Sequence, residues 1–265
     1  AIGYRAGYKN RISDVNYNTF MGYNAGREVT TGNHNTFLGN QAGYGVDGSD
    51  ADNNVAIGSY SLVNIVGNNN VSIGYEAGRH ASGSSNTFVG RNAGKGGTTS
   101  APFSSGITNT ALGYDALASF TTGHSNTAIG KAAGDAITSG YENVAVGQGA
   151  LGAANDGYQN TAIGTGAMGN SATNAGHSNI AIGYRAAEEF NDGFANTYIG
   201  TLSGGSEGGV SGDYNIGIGY QADKTRVAGN YNISIGYRAN EYQGLGGGTN
   251  SIAIGQNASV HYGRI

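Results

Sequence analysis

The sequence predicts an all-β chain, a parallel β-solenoid of about fifteen short coils, and three observations lead there. An aliphatic residue followed by glycine recurs fifteen times, from Ile2-Gly3 to Ile254-Gly255, mostly in steps of 17 or 19 residues. The residue three before that glycine is Thr, Val or Ile in every full repeat, and an Asn stands immediately before it in all but the last, where Ser251 takes its place. A period this short is too small for a domain, and it marks one structural coil stacked many times.

Within a coil, the front half reads as a strand. Asn18-Thr19-Phe20-Met21-Gly22, Asn126-Thr127-Ala128-Ile129-Gly130 and Asn232-Ile233-Ser234-Ile235-Gly236 are examples. β-Branched residues fit a pleated, half-buried surface. The β-branched residue and the aliphatic one two further on share a face, because strand side chains alternate. The residue between them faces the other way and varies among Ala, Ser, Gly217, Phe20, Phe37, Phe88 and Tyr198. The expectation is a spine of the β-branched and aliphatic residues together with the Ala that follows three residues after the glycine, as at Ala25, Ala42, Ala77, Ala133 and Ala239. Glycines mark the corners, where positive φ costs least. Length variation falls after the Ala corner, which makes that stretch the outer loop. Helix is a poor reading, since each of 50 glycines costs roughly 1 kcal/mol in a helix interior.

Stacked coils bring equivalent residues into columns about 4.8 Å apart. The Asn column, running through Asn35, Asn54, Asn70, Asn86 and onward, either hydrogen-bonds from coil to coil or shapes a turn within each coil. Each coil offers only about three apolar residues to a shared face, few against the entropy of ordering it. The chain therefore needs a second covered face, with copies of itself as the partner; the alternative is a self-sufficient solenoid roofed by its aromatic loops. Residues 1–265 form a single repeat array. It starts within a repeat at Ala1-Ile2-Gly3 and stops at Gly263-Arg264-Ile265 where the next Asn is due, as expected of part of a longer fibre.

The Asn-Thr-Ala-Ile-Gly-x-x-Ala unit resembles the head repeats of YadA-like trimeric autotransporter adhesins. It is still more similar to the Asn-Thr-Ala-Ile-Gly-Tyr-x-Ala repeats of trimeric bacteriophage tail fibres. The resemblance covers the whole chain. It implies three parallel chains, each a left-handed β-roll, side by side in a trimeric rod, with an extracellular attachment role at a cell surface or on a virion. The coils are longer and less uniform than typical YadA-like head coils. No anchor barrel, heptad stalk or chaperone domain is present in the sequence.

Composition limits the rivals. Only 11% of residues are charged and the net charge is −4, so there is no electrostatic footprint for nucleic acid. No apolar run approaches membrane-spanning length, so no direct membrane insertion is expected, and no signal peptide is visible. Without cysteine, thiolate chemistry and disulfides are excluded. The strings Gly147–Gly152 and Gly164–Gly169 spell GxGxxG, but they sit one repeat apart in the same register and lack the strand–turn–helix setting of a dinucleotide site. Nothing calls for a cofactor.

Asp47, Asp50 and Asp52 form the one weak metal candidate, because calcium takes such closely spaced oxygen ligands; a solvated acidic turn is the competing reading. His34, His124 and His177 occupy turns of non-adjacent coils, and Glu188, Glu189 and Asp192 cluster in a loop. None makes a nucleophile–base set, so no catalysis is expected. Tyrosine carries the binding candidates. Tyr4, Tyr23, Tyr75, Tyr114, Tyr184, Tyr220 and Tyr237 follow a corner glycine, and Tyr17, Tyr141, Tyr158, Tyr214 and Tyr231 precede the Asn. Tyr141, Tyr158, Tyr214 and Tyr231 are candidate contacts to surface glycans or a host-cell receptor; cross-coil packing is the alternative. The longest loop, residues 94–108, holds the single proline, Pro102, beside Phe103 and is a candidate contact loop.

The function expected is therefore a structural and adhesive segment of a homotrimeric extracellular attachment fibre, a surface adhesin or a bacteriophage tail fibre involved in host recognition. A self-assembling extracellular filament is the alternative. Ice binding fits less well, because Val and Ile interrupt the Thr column and Thr-x-Thr rows are absent.

Overall fold

The computed structural model describes residues 1–10, 17–98, 103–153, 155–170, 176–205, 212–224, 229–240 and 249–259. Pro102 lies outside them. The described residues contain no helix and fourteen strands of three residues each. Two compact units divide the chain, 1–139 and 140–265.

The first unit holds β1 (Thr19–Met21), β2 (Thr36–Leu38), β3 (Val55–Ile57), β4 (Val71–Ile73), β5 (Thr87–Val89), β6 (Thr110–Leu112) and β7 (Thr127–Ile129). They pair in chain order, all parallel. The second holds β8 (Val144–Val146), β9 (Thr161–Ile163), β10 (Ile180–Ile182), β11 (Thr197–Ile199), β12 (Ile216–Ile218), β13 (Ile233–Ile235) and β14 (Ile252–Ile254), paired the same way. An Ile2–Met21 bridge adds the first repeat to β1. Register is residue for residue, Thr19 opposite Thr36 and Met21 opposite Leu38. The chain is a parallel β-solenoid, as the repeat predicts.

The inward face is the opposite of the one expected. The middle strand residue is buried in every coil, from Phe20 and Phe37 to Ala253. It packs with the Ala column, Ala25, Ala42, Ala77, Ala93 and onward. The β-branched and aliphatic residues flank it on the outside, half-buried or exposed, so Met21 is 42% exposed and Leu112 47%. Within each unit the aliphatics do pile into a column, but on the outer surface of the chain. Alternation fixes which residues share a face and leaves open which face is inside.

In many of the coils two residues decide how the narrow interior is filled. Where the strand brings an aromatic ring, the fourth residue after the corner glycine is itself glycine: Gly26 beneath Phe20, Gly43 beneath Phe37, Gly94 beneath Phe88 and Gly204 beneath Tyr198. A Cβ on Gly26 would lie 2.8 Å from the Phe20 ring, and one on Gly94 only 2.1 Å from the Phe88 ring. In four of the coils whose strand brings alanine, a long side chain comes from that fourth position instead, while Ala128 and Ala181 have Gly134 and Ala187 there. Leu62 serves with Ala56, Leu117 with Ala111, Leu151 with Ala145 and Met168 with Ala162, all buried. The exchange keeps volume constant, as close packing requires. In β12 and β13 the same pair of positions turns polar. There Asp223 accepts from Ser234 Oγ at 3.3 Å and from Asn240 Nδ2 at 3.1 Å.

Buried asparagines lock the coils together. Asn86 Oδ1 accepts the Asn109 backbone N–H at 2.9 Å, while Asn86 Nδ2 donates to the Gly106 carbonyl at 3.0 Å. The next link repeats it, with Asn109 Oδ1 accepting from the Asn126 N–H at 3.0 Å and Asn109 Nδ2 donating to Gly123 O at 2.9 Å. Some amides also bond each other directly, as Asn70 does to Asn54 at 3.1 Å. The column is a ladder between coils, satisfying backbone groups that burial would otherwise leave costly. At the last strand Ser251 takes over, with its N–H and Oγ donating to Asn232 Oδ1 at 3.0 and 2.6 Å. The corner glycine is required by close approach: at Gly74, φ is +137° and a Cβ would sit 2.5 Å from the Gly90 carbonyl oxygen.

Candidate functional site

Two surfaces stand out once the coil is built. The first is the strand face. Each coil offers its β-branched residue and its aliphatic residue outward, and the residue after the corner glycine continues the stripe. Ile129, Ile163, Ile199 and Ile218 are 36–38% exposed, and Tyr4, Tyr23, Tyr184 and Tyr237 about half. No carboxylate occurs at any of these three positions; the only charges are Arg91 and Lys131. Arg91 lies between Tyr75 and Tyr114, 5.7 and 5.6 Å from their ring centroids, close enough for cation–π attraction. Tyr4 stacks on Tyr23 at 5.4 Å and Tyr220 on Tyr237 at 5.3 Å. Backbone groups of the strands are already paired with the coils above and below, so contacts made by this face are made by side chains.

The second surface is the turn before the ladder asparagine. In the second unit, Tyr141, Tyr158, His177 and Phe194 stack as a row, with centroids 4.9, 4.7 and 5.1 Å apart and planes within 11°. Tyr214 meets Phe194 edge-on at 4.9 Å and then stacks on Tyr231 at 5.0 Å. The tyrosine contact candidates are thus brought together, as cross-coil packing partners. Their ring faces are taken by one another, so a ligand meets edges and hydroxyls. Beside the row, Asp156, Gly157, Tyr158, Gly176, His177 and Asp192 line a groove of about 260 Å³. Asp156 and Asp192 are exposed at its sides. Sequence reasoning treated His177 and Asp192 as separate loop residues and passed over Asp156. The signal that unites them is their fixed position relative to Asn160, Asn179 and Asn196.

The remaining candidates sort quickly. Asp47 is held by Lys9 at 2.6 Å, and that cation also meets Glu28 at 2.7 Å. The ammonium donates to Asp47 and keeps its carboxyl below the ordinary range. Asp52 Oδ1 accepts the Asn33 backbone N–H at 2.6 Å. Among the described residues no group of three or more His, Asp or Glu is arranged to hold a metal ion. Phe103 is half-buried, and its neighbour Ser104 is buried in a bridge to Ala81, so this end of the long loop lies along the coil. Glu188 pairs with Arg185 at 2.6 Å. Glu76 is buried between Arg79 and Lys95, at 2.5 and 2.8 Å. Burial opposes its charge, but the Lys95 hydrogen bond and both cations prevail and hold its pKa below the usual value. These are structural ion pairs.

No described helix is long and apolar enough to cross a membrane. No protein-family model, curated protein or solved structure matches this chain.

Proposed function

We propose that this chain is the structural and adhesive segment of a homotrimeric extracellular attachment fibre, at a cell surface or on a virion, with no catalysis of its own. The strand face carries this reading. Within each unit the aliphatic column and its tyrosines leave an apolar stripe on the outside of the chain, Met21, Leu112, Tyr23 and Tyr184 being 42–51% exposed, and an exposed apolar stripe of this kind marks an interaction surface.

A second and third copy are the favoured cover. The face repeats every coil, so its partner must repeat with the same spacing, and another copy of this chain does. Around a rotation axis a residue near the axis meets its own copies, and any charge there would face its like. The uncharged strand positions fit that condition. The same reading covers a bacterial surface adhesin and a bacteriophage tail fibre, as the repeat unit's resemblance suggests.

Sedimentation or light scattering of the purified chain tests it. The expected species has close to three times the 26.7 kDa of one chain. A monomer at working concentration would overturn the trimer, and growth with concentration into long polymers would favour the filament alternative instead.

A further inference from the structure

We propose that His80 is an acid-sensitive latch, which holds Lys95 and Ser104 of the longest coil against the preceding coil at neutral pH and lets them go in acid. The inference goes beyond the attachment reading. It does not depend on the assembly, because every group involved belongs to one unit of one chain.

The latch is made of main chain and sealed by a glycine. The His80 N–H donates to the Lys95 carbonyl at 2.8 Å, and the His80 carbonyl accepts the Ser104 N–H at 3.0 Å. Ser104 is buried and bridges to Ala81, and its carbonyl accepts the Ser82 N–H at 2.8 Å. Lys95 and Ser104, far apart in the loop, thus close on one residue. The His80 side chain stands in a column between Asn64 of the coil before and Gly96 of the coil after, each the sixth residue past its corner glycine. Nδ1–H donates to Asn64 Oδ1 at 3.0 Å. On the other side a Cβ on Gly96 would lie 2.7 Å from Ser104 Oγ and 3.2 Å from the His80 carbonyl carbon, so main chain packs there directly. His80 is left 8% exposed.

These surroundings resist a second proton on the ring. Among the described residues, the charges acting on it are Arg79, Lys95 and Glu76. Glu76 is the one carboxylate of the three, and it is already shared by Arg79 Nη1 at 2.5 Å and Lys95 Nζ at 2.8 Å. The column neighbours, Asn64 and Gly96, are neutral. An imidazolium would be a third cation against one carboxylate, in a place with little water to solvate it. Burial first, then Arg79 and Lys95, hold the His80 pKa below its ordinary 6.5. Opening returns the ring to water and to that ordinary value. At higher pH both forms are neutral and the latch has its full strength. As pH falls below the ordinary value, the open form takes up the proton and the closed form does not. Opening then gains up to about tenfold per pH unit until the depressed value is reached. Glu76, whose folded pKa lies below 4.5, stays ionised over the upper part of this range. Phe103, beside Ser104, is half-buried while the latch is closed. Acid offers it to water, so contacts made by this end of the loop become dependent on pH.

The experiment is hydrogen–deuterium exchange of the intact protein at about pH 7.5 and about pH 5.5, on either side of the ordinary histidine value. Rates are expressed as protection factors, which remove the intrinsic pH dependence of exchange. The amides of His80, Ser82 and Ser104 should lose at least about threefold and up to about tenfold of their protection in acid. The Val144 amide in the other unit, bonded to the Asn160 carbonyl at 2.8 Å, should not change. H80N installs the residue type that the same column carries at Asn64 and keeps a donor for it; its protection should be equal at the two pH values. NMR of isotope-labelled histidine in the native chain should show the His80 ring titrating below 6.5, a readout that stands even where the variant fails to fold. Equal native protection at both pH values, an acid loss retained in H80N, or a His80 ring that titrates at or above the ordinary value overturns the proposal.

Discussion

The second residue before the ladder asparagine is held in two different ways in the two units. In the first, Asn33, Asp52, Asn68 and Ser84 form a polar chain: Asn33 N–H donates to Asp52 Oδ1 at 2.6 Å, Asp52 N–H to Asn68 Oδ1 at 2.8 Å, and Asn68 N–H to Ser84 Oγ at 3.0 Å. In the second, Tyr141, Tyr158, His177 and Phe194 hold the same position by ring stacking. Phe194 then switches back to the polar form, its N–H donating to Asp213 Oδ1 at 3.1 Å. One backbone turn thus accepts hydrogen bonds or stacked rings, provided neighbouring coils agree. The aromatic version lines a groove, so the difference between the units separates scaffold from candidate ligand surface.

The interior shows the same trade, and breaking it should give the largest effect. Gly94→Leu drives a side chain into Phe88 and should cost about 3 kcal/mol or more, read as a drop in denaturation midpoint. Phe88→Ala alone should cost about 3–5 kcal/mol. Combined, they recreate the pair found natively as Ala111 and Leu117, whose Leu sits at φ 50° against 53° for Gly94. The double variant should therefore recover much of the sum, a coupling of on the order of 3 kcal/mol. Additive losses would refute the volume exchange.

Cutting the shared ladder comes next. Asn109→Leu leaves the Asn126 N–H and the Gly123 carbonyl without the partners they have now. It should cost about 2–4 kcal/mol in urea titrations, given roughly 1–3 kcal/mol per buried group left unmatched. A loss like that of an exposed substitution would contradict the buried ladder.

The turn comparison itself is sharpened by a matched pair. Tyr158→Ala removes two stacking contacts and should cost about 1–2 kcal/mol, whereas Asp52→Ala gives up the one hydrogen bond its carboxylate accepts, from the Asn33 N–H, and should cost about 1 kcal/mol. Equal losses, or a larger one at Asp52, would mean that stacking adds nothing over the polar form.

The smallest effect is electrostatic. Glu76 has its folded pKa held below the ordinary value of 4.5, so its contribution is present above about that pH and is lost as pH falls through the depressed value. Its cationic partners are about one-third exposed, which limits the gain to at most about 1 kcal/mol. Glu76→Gln should flatten the acid limb of stability against pH. A variant whose acid limb matches the native one would remove Glu76 from that role.

Much of this was legible in the chain. Ile2-Gly3 through Ile254-Gly255 fixed the coil count and spacing, and the Asn column marked where the ladder runs. The inward face was not legible from strand alternation, since Thr-Phe-Met and Thr-Ala-Ile obey it with either side inside. The clue lay one corner further on: glycine follows Phe20, Phe37, Phe88 and Tyr198 at the contact position, while Leu or Met follows Ala56, Ala111, Ala145 and Ala162. At the groove, Tyr158 was legible as an amphipathic ring. Asp156 and Asp192 were not, because two carboxylates 36 residues apart become neighbours across a groove only when the coils are stacked.

The account depends on the outward strand aliphatics being covered by other copies of the chain, and the lack of native cysteine allows a direct test. Single-cysteine variants I129C, on the strand face, and S119C, on the outer loop, are oxidised under mild conditions and sized on denaturing gels. A disulfide requires Cα atoms within about 7 Å, so I129C should give linked pairs of chains in high yield at low protein concentration while S119C stays single. If both remain single, or both link only as concentration rises, the strand face is open to water and the trimeric fibre is contradicted.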